Sequence, residues 1–227
     1  MDSPPIPIIY RDNDLVVVNK PSGLVVHRGW GDDQHSLVAI LRAQLDQPRL
    51  HVLHRLDRGT SGVLVLGMNP EAAAAVNSQF RQRQVEKTYL ALVRGSCQFS
   101  GLLDHPIPKA PGDPRVPAQT RFQATDHRAT QPRETSLVIA CPLTGRTHQI
   151  RRHLKHLNHP IIGDANYGKG AINRAFRQRY GLARLALHAT TIHIEHPTTG
   201  QPLRLDAPLP DDLRDPLIRM GYTTVVN

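Results

Sequence analysis

HRLDRGTSGVLVLGMNPEAAAAVNSQFRQRQVEKTYLALVRG, residues 54–95, holds the pattern from which the rest of the chain can be read. A charged loop with two glycines leads into VLVLGMN (63–69), a short apolar run bounded by turn signals that reads as a buried strand. Asn69 and Pro70 then open a helix, PEAAAAVNSQFRQRQ. The Asn side chain can accept an orphan amide there, and Pro has no amide to leave unpaired. VEKTYLALVRG (85–95) follows as a second strand.

Toward the N-terminus, IPIIY (6–10), LVVVNK (15–20) and LVVH (24–27) read as short strands parted by RDND and PSG turns. Ser36 caps an amphipathic helix over 36–47. Toward the C-terminus come strands near 119–127 and 135–142, a helix from about Thr147 to Asn158, and a helix over 171–180 stopped by Gly181. A strand over 182–196 turns through PTTG into QPLRLDAP (201–208), and a helix near 211–220 closes the chain. PIPKAPGDPRVP (106–117) places five prolines in twelve residues, which denies donors to helix and sheet and predicts a loop. Strands outnumber helices and never alternate regularly with them. The expected fold is α+β, a mixed, mostly antiparallel central sheet with flanking helices, in one domain spanning 1–227.

The composition agrees with a single core: 227 residues, 39% hydrophobic and 21% charged. No apolar run approaches the roughly 20 residues needed to span a bilayer. The start, MDSPPIPIIY, lacks the basic region of a signal peptide. Cys97 and Cys141 stand far apart, so neither a disulfide scaffold nor a thiolate metal site is expected. The expectation is a cytoplasmic protein with no membrane partner. Lys and Arg number 28 against 19 Asp and Glu, a net charge of +9 that attracts polyanions. Basic residues cluster in RQRQVEK (81–87), GRTHQIRRHLKH (145–156) and NRAFRQRYGLAR (173–184). With aromatics at only 4%, base stacking is a poor basis for binding, and the expected partner is folded or double-stranded nucleic acid.

Within HRLDRGTSG (54–62), Asp57 lies between Arg55 and Arg58 with His54 nearby. Guanidiniums beside a carboxylate favour its charged form, which suits a nucleophile or base better than an acid. Gly59 and Gly62 permit turns, and the hydroxyls of Thr60 and Ser61 are expected to brace the loop. Glycoside hydrolysis ordinarily needs a second carboxylate, and none stands near Asp57 in the sequence. Chemistry that consumes no water fits a lone aspartate better. The histidines at 148, 153, 156 and 159 lack the i, i+4 spacing of a helical zinc pair and sit among Arg151, Arg152 and Lys155. No metal is expected there. A phosphate-facing helix with Arg151 turned inward is.

These residues resemble a known family, the RluA-type pseudouridine synthases. HRLDRGTSG is similar to their signature and NKPSGLVVH (19–27) to their N-terminal motif. KTYLALVRG (87–95), GRTHQIRRHL (145–154), HPIIGDANYG (159–168) and LALHA (185–189) follow in family order, so the likeness runs from about residue 8 to 208. The resemblance implies a cofactor-free enzyme that isomerises uridine in RNA. It makes Asp57 the essential carboxylate, acting on the ribose as nucleophile or base, and makes Arg151 its ion-pair partner. Tyr89 would stack on the target base, Leu187 would wall the base pocket, and Arg55 would fill the place of the extruded uridine. His54 and Arg58 would join Arg55 on the RNA side. No separate N-terminal RNA-binding domain is expected. The stretches 19–30 and 163–189 look most like the C-type tRNA branch, which modifies a T-stem uridine, with a dual tRNA and rRNA specificity, or a non-catalytic RNA-binding protein of the same fold, as the alternatives. A monomer is expected.

Overall fold

The computed structural model of the chain describes residues 4–27, 35–109 and 112–223. Its strands are β1 (Ile8–Arg11), β2 (Leu15–Lys20), β3 (His51–Val52), β4 (Ser61–Gly67), β5 (Glu86–Arg94), β6 (Ser100–Asp104), β7 (Ile107–Pro108), β8 (Arg115–Val116), β9 (Gln119–Arg128), β10 (Thr135–Pro142), β11 (Leu187–Glu195) and β12 (Pro202–Asp206). The helices are α1 (Leu37–Leu45), α2 (Pro70–Gln82), α3 (Gln149–His156), α4 (Gly170–Tyr180) and α5 (Asp211–Arg219). This is the mixed, mostly antiparallel α+β arrangement expected from the sequence. The chain forms two compact units, Met1–Lys87 with Ala189–Pro208, and Thr88–His188 with Leu209–Asn227. The Pro-rich segment lies wholly inside the second.

In the first unit the strand order is β1-β2-β4-β11, with β12 beside β11 and β3 beside β4. β2 and β4 pair antiparallel from Leu15↔Gly67 to Lys20↔Gly62. Every residue of β4 is buried, as a central strand covered on both faces requires. Gly67 lets α2 approach, since a Cβ there would lie 3.2 Å from that of Ala73. α2 begins as its sequence dictates, with Asn69 Oδ1 accepting from Ala72 N at 2.8 Å. Its far end is tied to β11 by Gln79, which donates to Glu195 O and accepts from Glu195 N.

In the second unit β5, β10, β9 and β6 are neighbours in that order. Tyr89 lies opposite Ala140, and Ala140 opposite Phe122, so the three share a face. That face carries α3, whose His153 hydrogen-bonds Thr120 Oγ1 at 2.9 Å and packs its ring edge-on against Phe122. On α4 and α5, Phe176, Tyr180, Leu213 and Leu217 turn inward. Tyr222 closes this unit by donating to Thr135 O.

Three expectations need correction. Residues 24–27 are not a strand, because their carbonyls are taken: Lys20 Nζ binds Leu24 O, and the first amides of α1, Leu37 N and Val38 N, bind Val25 O and Val26 O. The last strand before PTTG starts at Leu187 rather than 182. The Pro-rich loop contains a short hairpin, Ile107↔Val116 and Pro108↔Arg115, although residues 110–111 lie outside the described residues. Residues 28–30 of the N-terminal motif also lie outside them. β3 and β6 were not anticipated, the first because it has two residues, the second because it is largely exposed and shows no alternation.

Gly62 sits at φ +117, and a Cβ there would fall 2.1 Å from Ala189 O. Gly62→Ala is therefore expected to cost about 3 kcal/mol or more in urea unfolding. Gly200→Ala, at φ +69 with open space around it, should cost about 1 kcal/mol. Equal costs would contradict the close approach.

Candidate active site

Asp57 belongs to a loop that the first unit braces from strand β2 and the turn after it. Gly23 N donates to Arg58 O at 2.8 Å and Arg58 Nε returns a bond to Gly23 O at 2.9 Å. Ser22 Oγ donates to Gly59 O at 2.7 Å. Beneath them Lys20 is fully buried, and its ammonium donates to Pro21 O, Leu24 O and Arg58 O at 2.8, 2.6 and 3.3 Å. A buried ammonium is costly unless its donors are met, so these carbonyls and the cation hold one another in place. The NKPSG and HRLDRGTSG segments thus form one clamp. Thr60 contributes through its backbone, N–H to Asp57 O at 3.0 Å. Its hydroxyl, expected to brace the loop, is buried without a hydrogen-bond partner among the described residues.

Leu56 anchors the loop in the core, Asp57 is half-buried, and Arg55 and Arg58 face solvent. The two arginines are thus placed to meet a polyanion. His54 turns the other way. Its Nε2 accepts from Val65 N at 3.0 Å, which puts the ring proton on Nδ1, and its ring lies 5.2 Å from that of Phe80. Burial, helped by the nearby Lys87, pushes this histidine down to about 3. His54 joins the loop to β4 as a neutral side chain. Lys87 stands over the Phe80 ring, and its own burial lowers its pKa.

The other expected site residues belong to the second unit. Tyr89 is buried on β5. Arg151 is turned inward on α3 and held by a carboxylate that sequence reasoning missed. Its Nε donates to Asp164 Oδ2 at 2.7 Å and its Nη2 to Oδ1 at 2.9 Å. Asp164 also accepts the amides of Asn166 and Tyr167. Burial alone would raise this carboxyl, but the guanidinium and the two amides outweigh it and hold the pKa below the usual range. The Tyr167 ring lies over the Arg151 guanidinium, 5.1 Å away, and its hydroxyl joins Arg152 Nε and His148 Nδ1. The Asp of HPIIGD, thirteen residues beyond Arg151, was the available signal.

Leu187 is buried at the start of β11. Behind it Arg184 donates to Leu185 O, Leu187 O and Asp212 Oδ1, which pins this turn of chain. The histidines of the basic segment have structural partners. His153 bonds Thr120 and His105 O, His156 stacks on His105 at 3.7 Å, and His159 Nδ1 binds Arg94 O.

The Arg151–Asp164 pair yields a pH-dependent prediction. A carboxyl held low in the folded state stabilises above its unfolded pKa, near about 4, and loses that contribution as pH falls through the folded value. Asp164→Asn should cost about 3 kcal/mol at pH 7 in urea unfolding and flatten the acid limb of the stability curve. An acid limb identical to that of the unsubstituted protein would contradict the pairing.

Residues 14–156 match the family described as RNA pseudouridylate synthase. The tRNA pseudouridine synthase C of Haemophilus ducreyi is 41% identical over 218 residues, 88% of this chain and 89% of that one. The ribosomal large subunit pseudouridine synthase D of Xanthomonas campestris is 39% identical over 92% of this chain and 68% of its own length. Among solved structures, human RNA pseudouridylate synthase domain containing 1 superposes with a TM-score of 0.76 at 30% identity, covering 92% of this chain and 86% of that one. With its signature loop clamped by the motif that precedes it, and with likeness of this extent, the chain belongs to the RNA pseudouridylate synthase family.

Proposed function

We propose that the protein converts a uridine of structured RNA, tRNA first, into pseudouridine, with Asp57 as the essential carboxylate. The observation that carries this reading is the braced Asp57 loop inside the family-matched stretch, in a chain 41% identical to an enzyme named for tRNA. The reaction breaks the bond between ribose and ring nitrogen and rejoins the sugar to ring carbon five. The proton at that carbon leaves to solvent while the freed ring nitrogen takes one up, so the RNA keeps its mass. Nothing is oxidised, reduced or hydrolysed, so the atoms balance without a cofactor or metal. Asp57 acts on the ribose as nucleophile or base, and Arg151 orients it. Tyr89 stacks on the uracil and Leu187 supplies an apolar wall. Arg55 occupies the space left in the RNA when the uridine is flipped out, which chemistry on a stacked base requires. Arg58 serves the phosphate backbone, and His54 aids RNA binding by keeping the loop in shape. The enzyme works as a monomer in the cytoplasm, where tRNA is found.

The identity to a large-subunit synthase favours a second reading, in which rRNA is an additional target. Tritium release from RNA carrying uridine labelled at ring carbon five tests both. The protein should release tritium from a tRNA transcript, and Asp57→Asn should lower the rate by more than about 10³-fold while RNA still binds. Release from a large-subunit rRNA transcript as well would establish the dual reading. Wild-type turnover by Asp57→Asn would remove Asp57 from the chemistry. Turnover should persist in EDTA; activity lost to EDTA and restored by zinc would overturn the metal-free reading.

A further inference from the structure

Within the second unit, at the end of β5 beyond Tyr89, lies a cavity of about 580 Å³ lined by Arg94, Arg133, Lys169, His159 and a single acid, Glu134, among other residues. Arg94, Arg133 and Lys169 come from three separate segments: the end of β5, the loop between β9 and β10, and the residue before α4. None of the three forms an ion pair among the described residues. α4 adds no counter-charge, since its first turn contains no acidic residue. Like charges gathered around a concavity raise its potential, and an anion seated among them lowers it.

The rim is preformed. Gly95 N donates to Glu134 O at 2.6 Å, joining the β5 end to the loop. His159 Nδ1 hydrogen-bonds Arg94 O at 2.9 Å, joining that end to the chain after α3, and Gln131 N donates to Tyr180 OH at 3.0 Å, joining the loop to α4. Binding here would order little backbone, which favours affinity.

We infer that this cavity is a phosphate subsite for the RNA substrate, taking backbone phosphates away from the target uridine. The inference rests on the RNA-modifying reading above. Three points favour a chain of phosphates over a single small anion. The cations lie on separate segments, Arg133 and Lys169 are exposed at the rim, and the cavity lacks a dedicated base-stacking aromatic among its lining residues. Arg94 stands five residues from Tyr89 on β5, about 17 Å along the strand. A folded RNA reaches that far, and such contacts fix register without reading sequence.

The test compares RNA affinity across salt concentrations for the unsubstituted protein, the triple variant Arg94→Gln/Arg133→Gln/Lys169→Gln, and Glu134→Gln, using a labelled tRNA transcript. Melting temperatures check that each variant folds. The triple variant should bind on the order of tenfold more weakly, with a log-log salt slope shallower by about two to three, because each lost contact releases fewer counterions. Tritium release at saturating RNA should stay within about twofold. Glu134→Gln should tighten binding. An unchanged Kd and slope in the triple variant would overturn the inference, as would weaker binding by Glu134→Gln. A triple variant that loses affinity for inorganic phosphate but keeps its RNA affinity would make this a small-anion site and also overturn it. Unsubstituted protein that binds RNA without releasing tritium would sink the catalytic reading instead, leaving the comparison of slopes intact.

Discussion

A fully buried ammonium cannot be left without oxygen partners, and Lys20 meets that demand with carbonyls on two segments, one of them 38 residues further along the chain. Pro21 O and Leu24 O come from the turn after β2, and Arg58 O from the loop that presents Asp57. Removing the cation would strand these acceptors in the interior, at about 1–3 kcal/mol for each buried group left unpaired. The position of Asp57 is therefore coupled to the end of a central strand rather than left to a free loop. Ser22 and Gly23 continue the clamp outward, and His54 fastens the start of the loop to β4. The role proposed for Asp57 requires a fixed support, and the first unit supplies one from both sides.

The second unit uses the same device with opposite charge. Asp164 is a buried carboxylate that takes two guanidinium donors and two amides, and Tyr167 covers the resulting pair. Arg151 is thus presented by α3 with its orientation set by a segment from beyond the helix. Arg184 does comparable work for Leu187 by holding the carbonyls around it. Asp57 and Arg151 are thus placed by buried polar contacts distant in sequence, and Leu187 by a local one whose guanidinium also reaches Asp212.

That placement marks the boundary of what could be read from the amino-acid order. Elements with local signals were legible. Asn69 and Pro70 opened α2, Ser36 capped α1, and Gly181 ended α4 in the left-handed conformation. Elements decided by distant competition were not. LVVH has strand propensity, yet Lys20 and α1 claim its carbonyls. The hairpin of β7 and β8 forms despite its prolines, with Arg152 donating to Pro108 O and Arg115 to Pro106 O at its base. Asp57 and Arg151 stood out as charged residues in dense motifs, whereas their supports Lys20 and Asp164 looked like ordinary charges. Only burial distinguishes a structural charge from a solvated one, and burial is a property of the fold.

The clamp makes a direct demand on the Asp57 loop, so the most telling measurement is hydrogen exchange across residues 54–62 in Lys20→Met, taken together with turnover and RNA affinity. The account predicts faster exchange in the loop, slow exchange retained in β9 and β10, RNA affinity kept within a few-fold, and turnover reduced by about 10²-fold or more. Unchanged loop exchange with unchanged turnover would show that Asp57 is held by something other than the buried ammonium, and would contradict the account.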